Sequence, residues 1–190
     1  GFGNMVLVDE IDCGDVNDPH EFVEYPVGAT QIQTILGDQM RVMPNPSGGD
    51  VRYFAYRIGE NANLEAGKPY LLQIDYPEDV ARTMYVINSG ACSARGFHTG
   101  NTIGDALNPP YVVSNAESLD IPLSGNIETW QNMFHLHDRF AGLDHPRNEG
   151  DFSDLPEDGF LVIIAMTAEY SAPMSSGAAI SAIRLYEAPD

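Results

Sequence analysis

Short stretches of β-type patterning, separated by turn residues, run the length of this chain. Residues 5–8 (MVLV) are an apolar run. Residues 31–36 (QIQTIL) alternate polar and apolar, and residues 41–43 continue them as a hairpin after the Gly37-Asp38 turn. Residues 51–58 (VRYFAYRI) are rich in aromatic and β-branched side chains, and 70–76 (YLLQIDY) and 83–88 (TMYVIN) flank a turn at 77–79. Segments 129–140, 160–168 and 180–187 complete the set. The longest apolar run, 160–168, has the length of one buried strand and falls short of the roughly 20 residues that span a bilayer. No window carries a long helical period; 77–82 and 116–119 are candidates for single helical turns. About eight to ten short strands with no long helix predict an all-β fold, an antiparallel β-sandwich of the jelly-roll kind.

The length of 190 residues fits one domain, 1–190, with a substantial core. The chain begins and ends close to strand-like segments and its first residues lack the pattern of a signal peptide, as expected of a trimmed mature form or a domain excised from a larger multidomain protein. Two irregular stretches, 91–114 and 141–159, exceed the usual loop length and mark candidate functional loops. The 28 acidic and 9 basic residues leave a formal charge of −19, and Lys68 is the single lysine. Phosphate binding needs a dense cationic footprint, so nucleic acid and anionic membrane surfaces are not expected partners. Cys13 and Cys92 lack zinc-ligand spacing; they form either one disulfide closing a long loop or two separate thiols.

The segment TWQNMFHLHDRF, 129–140, concentrates chemistry. A period of two puts Trp130, Asn132, Phe134, Leu136, Asp138 and Phe140 on one face, expected to look into the core. Gln131, Met133, His135, His137 and Arg139 fall on the other, with His135 and His137 about 7 Å apart along the strand. That second face has three readings: a zinc or copper chelate needing a third ligand, a polar ligand-binding face with Arg139 as donor, or a solvated strand face. The glycine-rich stretch 90–105 lacks the phosphate-loop signature, but Arg95, Phe97, His98 and Asn101 offer a cation, an aromatic ring and polar donors of the kind a sugar site uses. In 141–159, Asp144, His145 and Arg147 are placed to close over a ligand. Near the start, Asp9, Glu10, Asp12, Asp15, Asn17, Asp18 and Glu21 are hard oxygen ligands in a short span, and Glu187 ends the final strand. With the first and last strands as neighbours, Asp9, Glu10, Asp12, Asp15 and Glu187 are the expected ligands of a structural calcium ion.

The closing segment AISAIRLYEA (179–188) and the acidic opening LVDEIDCGD (7–15) resemble the corresponding parts of galactose-binding-like β-sandwich domains, which include carbohydrate-binding modules of secreted bacterial polysaccharide-degrading enzymes. KPYLLQIDYPEDVARTMYVINSG (68–90) and ARGFHTG (94–100) are similar to accessory domains of bacterial glycoside-hydrolase-like proteins. The resemblance implies a galactose-binding-like sandwich, a calcium near the paired termini, a ligand site in loops or on a concave sheet face, a secreted or periplasmic location and a covalently attached catalytic domain. The presence of one Trp, Trp130, departs from modules that bind flat polysaccharide surfaces and favours soluble glycan chains.

The leading expectation is a non-catalytic module that binds polysaccharide or oligosaccharide chains through Arg95, Phe97, His98, Trp130, His135, His137, Arg139 and Asp144. Two alternatives stay open. One is a β-sandwich glycoside hydrolase or lyase, for which the carboxylate pair cannot be picked from sequence and no strong catalytic motif is present. The other is an interaction domain packed on a neighbouring catalytic domain.

Overall fold

Alternating and continuous apolar strands pack differently, and this chain contains both. In a computed structural model, the described residues are 4–45, 51–102, 119–120, 122–137, 140–141, 152–153, 159–166 and 175–189. The strands among them are β1 (Val6–Asp12), β2 (Phe22–Tyr25), β3 (Gln31–Ile35), β4 (Asp38–Met43), β5 (Arg52–Ile58), β6 (Pro69–Pro77), β7 (Arg82–Asn88), β8 (Ser93–Thr99), β9 (Asn101–Thr102), β10 (Leu119–Asp120), β11 (Ile127–His135), β12 (Phe140–Ala141), β13 (Phe152–Ser153), β14 (Phe160–Met166), β15 (Ala178–Ile180) and β16 (Ala182–Glu187). One 3-10 turn, Ser89–Ala91, joins β7 to β8.

A front sheet has the order β1-β16-β6-β11 and a back sheet the order β2-β5-β14-β7-β8, all antiparallel where they pair. The chain crosses from back to front to back through β5, β6 and β7, the alternation that a jelly roll requires. The expected antiparallel sandwich is therefore what forms. Ile11, Leu72, Ile74, Phe134, Ile183 and Leu185 from the front meet Phe54, Tyr56, Ile58, Met84, Val86, Val162 and Ile164 from the back in one core. A third sheet, β15-β4-β3, adds Met43, Ala178 and Ile180 to that core, while its other side packs Met40, Val42 and Ala179 against Ile127.

The back sheet is buried on its outer side as well. Tyr53, Ala55, Leu161 and Ile163 form a second cluster there, joined by Tyr25, Ile87 and Ala165. This is why β14 reads FLVIIAM without a polar position: a strand covered on both faces needs apolar residues at both parities.

One expectation changes, one strand is new, and one open alternative is decided. Residues 93–99 are not an irregular loop but β8, the back sheet's edge strand, paired with β7 from Arg82↔Thr99 to Asn88↔Ser93. The turn signal of Gly90, Gly96 and Gly100 suggested a loop; Gly96 instead sits opposite Tyr85, whose ring would lie 3.0 Å from any added Cβ. β2 went unrecognised inside the acidic segment, although FVEY carries a strand composition. Cys13 is a buried free thiol and Cys92 an exposed one. Among the described residues, no helix is long and apolar enough to cross a membrane.

Candidate functional site

On β11 the alternation expected from sequence is present. Phe134 and Leu136 are buried and Trp130 is half-buried, whereas Gln131, Met133, His135 and His137 are exposed. Their neighbours follow from strand register. Gln131 pairs with Gln73 of β6, Gln73 with Arg184 of β16, and Arg184 with Glu10 of β1. Paired residues of an antiparallel sheet point to one side, so these four make a polar row across the outer face of the front sheet. The adjacent row is Met133, Leu71, Tyr186 and Leu7, and it is apolar. Its outer members stay open to solvent, Met133 at 49% and Leu7 at 46%. Each row crosses four strands, about 14 Å.

Arg184 anchors the polar row. Its Nε donates to Glu10 Oε1 at 2.7 Å and one terminal nitrogen lies 2.7 Å from Asp75 Oδ2. Burial works against charge on this guanidinium, but the bonds to Glu10 and Asp75 outweigh it and hold its pKa above the ordinary arginine value. Asp75 Oδ1 accepts from the Thr129 hydroxyl at 2.7 Å, which ties β6 to β11 on the same face.

The face runs into an open cleft of about 790 Å3. Its floor is Glu10, Asp12, Asp75, Ala182 and Arg184; its walls are the tip of the β3–β4 hairpin, Asp38 and Gln39, and the turn after β1, with Gly14, Asp15 and Asp18. Turn and hairpin touch at Gly14, where an added Cβ would lie 2.3 Å from the Gln39 carbonyl oxygen, so only glycine lets the two walls meet there. Six carboxylates and one committed guanidinium give the cleft a strongly negative potential.

The remaining sequence candidates are scattered. Phe97 and Trp130 stack with centroids 5.9 Å apart and planes inclined by 13°, and Tyr76 adds a contact at 4.8 Å to Phe97. This stack joins the edge strands β8 and β11 along one side of the sandwich. Arg95 is exposed on β8. His98 faces the other way: its Nδ1 lies 3.0 Å from the Thr83 hydroxyl, its Nε2 is buried without a hydrogen-bond partner among the described residues, and burial lowers its pKa. Arg139 and Asp144 lie outside the described residues, as do His145, Arg147 and most of 141–159. The structure thus puts His135 and His137 on the open face, Phe97 and Trp130 in a seam, and His98 in a half-buried pair with Thr83.

The five expected calcium ligands are not gathered. Asp9 accepts the Gly59 amide at 2.6 Å and faces His20 at 3.1 Å. Glu10 is held by Arg184, Asp12 accepts the Gly14 amide, and Asp15 accepts the Asn17 amide. Glu187 lies opposite Val6, at the far end of the β1–β16 pair from Asp12, and is bound to Lys68 at 3.2 Å. The termini are neighbours as anticipated, but antiparallel register separates Glu187 from the acidic turn. Among the described residues, no group of three or more metal-ligating side chains is placed to share an ion. As positioned, this set does not fit the six to eight oxygens calcium takes.

No protein-family model matches the chain. No curated protein matches it in sequence. Solved structures are similar in shape. A carbohydrate-binding module from Cellvibrio mixtus lichenase 5A, in complex with cellotriose, has 12% identity and a TM-score of 0.43, with 96% of this chain and 98% of that one covered. The C-terminal module of a marine laminarinase from Zobellia galactanivorans has 12% identity and a TM-score of 0.42, covering 97% and 100%. A module described for specific mannan recognition has 13% identity and a TM-score of 0.36, covering 97% and 98%. At TM-scores below 0.5 the overlap assigns neither a ligand nor a residue role to this chain.

Proposed function

We propose that this domain is a non-catalytic carbohydrate-binding module that holds a neutral polysaccharide or oligosaccharide chain across the outer face of the front sheet. The observation that carries the reading is the pair of parallel rows. The apolar row offers C–H-compatible surface to pyranose faces from half-buried Tyr186 and from exposed Met133 and Leu7, with Leu71 buried between Met133 and Tyr186. The polar row beside it offers amide donors and acceptors from Gln73 and Gln131 to ring hydroxyls. A binding site needs this combination of apolar platform and a few directed polar groups. Anionic glycans are disfavoured by the carboxylates of the adjoining cleft, since its one arginine is already engaged by Glu10 and Asp75. Calcium is not part of this reading, because the expected ligands are occupied separately. In a longer secreted protein, such a module would raise the effective concentration of an attached catalytic domain on its polysaccharide.

The test is calorimetric titration with the neutral glycans that score on an array, using Tyr186→Ala and Gln131→Ala. Each is expected to weaken binding at least about tenfold, the loss of one stacking platform or one hydrogen-bonding group. Wild-type affinity in both variants would remove this face from the function. A folded protein silent across the whole array would favour the interaction-domain reading, for which exposed Leu7, Met133 and Val6 supply the apolar surface.

A further inference from the structure

Leu136 is 2% exposed and packs in the core, while His135 and His137 on either side of it are exposed. Alternate side chains of extended backbone leave on one side, so the two imidazoles share the outer face, rooted about 7 Å apart. The backbone beneath them is fixed. Leu136 donates to the Lys68 carbonyl at 3.0 Å and its own carbonyl accepts from the Gly67 amide at 2.7 Å. His137 donates to the Gly90 carbonyl, in the turn between β7 and β8, at 2.8 Å. His135 closes the β6–β11 pair opposite Pro69. The short segment is therefore tied both to the start of β6 and to the back sheet.

The surroundings leave the two rings uncommitted. Pro69 faces His135 in register, and Gly67 bonds the strand between the two histidines; neither brings a side-chain hydrogen-bonding group. At Gly67 an added Cβ would meet no atom within 4 Å, so the space beside the pair is open. The Lys68 ammonium is taken by Glu65 at 2.9 Å and Glu187 at 3.2 Å. Among the described residues, neither ring of the pair has a hydrogen-bond or ion-pair partner. His20, by contrast, is held by Asp9 and Asp18, and His98 lies against Thr83.

We propose that His135 and His137 form a two-imidazole chelate for a divalent transition metal, with copper(II) the ion held most tightly. Each neutral imidazole supplies one lone pair. Metal–nitrogen bonds of about 2.0–2.1 Å require the rings to converge, and side chains of this length rooted two residues apart on one face reach a common point. Imidazole suits copper, nickel and zinc, and affinity for a given nitrogen site peaks at copper(II). Among the described residues no third histidine, cysteine or carboxylate is placed to share the ion. The remaining positions therefore stay open to water or to a donor that meets this face, as in an exchangeable site and unlike a closed structural one. The chain's formal charge of −19 favours cations at its surface. The pair lies beyond Met133, at the end of the front face away from the acidic cleft, whose lining includes Asp75 and Ile127. It requires neither a glycan on the neighbouring rows nor the carboxylates of the first turn.

The experiment uses the whole untagged chain, treated with EDTA and desalted. It is titrated with copper(II) alone at about pH 7.5, because imidazole must be neutral to ligate. Calorimetry reads affinity and electron paramagnetic resonance reads the ligand atoms. The first equivalent is expected to show two imidazole nitrogens, and zinc(II), titrated in parallel, to bind more weakly. His135→Gln and His137→Gln are each expected to weaken copper binding at least about tenfold, since even losing a group that merely orients a ligand costs that much. Both side chains are exposed, so urea unfolding of the variants should match the parent. Loss in both variants assigns the ion to this pair and not to His20 or His98. No copper uptake, uptake undiminished in either variant, or a spectrum with oxygen ligands alone would overturn the proposal; zinc held as tightly as copper would overturn the choice of ion.

Discussion

On the outer face of the front sheet, Thr129, Gln131, Met133 and His135 are exposed; on the outer face of the back sheet, Tyr53, Ala55, Leu161 and Ile163 are buried. The two sheets share a core, yet among the described residues the middle strands of the back sheet are covered on the outside while those of the front sheet keep exposed side chains. The difference is written in the strands. β11 places polar or exposed side chains at every second position, whereas β14 has none to place. A ligand face on this scaffold is therefore a front-sheet property, and the back sheet's second cluster contributes to stability.

The strongest challenge to that contrast is the same substitution made on both outer faces. Leu161→Asp buries an unpaired carboxylate and is expected to cost more than about 4 kcal/mol or to prevent folding. Gln131→Asp on the front face is expected to stay within about 0.5 kcal/mol. Urea unfolding of the pair decides it; similar costs would abolish the distinction. Next in size is Trp130→Ala, which removes the stack between the sheet edges. It is expected to cost about 2–3 kcal/mol, below a full core truncation because the ring is half-buried.

Smaller, and opposite in sign, are the two buried-contact histidines. His98, behind the back sheet, has a pKa lowered from 6.5 by burial, so the stability it lends is whole above about 6.5 and is lost as pH falls through the lowered value. His20, beside the cleft, has a raised pKa, so its contribution is whole below about 6.5 and is lost as pH rises through the raised value. Melting curves of His98→Gln should lose the acid-side slope, and those of His20→Gln the neutral-side slope. Slopes of the same sign in both would contradict the assigned partners. The smallest effect expected is that of EDTA, which should leave the melting temperature where it is, because Asp9, Glu10 and Glu187 are occupied by different groups. A clear downward shift would restore a structural calcium.

Period-two patterning made the faces of β11 legible before any fold was known, because burial on one side alone selects polar residues on the other. It did not reveal what flanks them. Gln73, Tyr186 and Arg184 join the face only through register, which hydrogen bonding between distant segments sets and which no local pattern encodes. The strands YLLQIDY and AIRLYE did carry the hint, with Gln73, Asp75 and Arg184 at outward positions between apolar ones. The expected calcium ligands are apart for a related reason: composition counts carboxylates near the first strand, while the structure gives Asp9, Glu10, Asp12 and Asp15 separate amide or cation partners and register puts Glu187 at the other end of the pair. β8 was misread because its glycines suggest a loop, whereas Gly96 serves the close approach of the Tyr85 ring.

The seam between β8 and β11 has an optical consequence. Trp130 is the chain's single tryptophan, and its indole lies against Phe97 of the opposite sheet. Its emission therefore reports one event without interference: the parting of the two sheet edges. The protein carries its own gauge of whether the sandwich opens as a unit or comes undone first along that side.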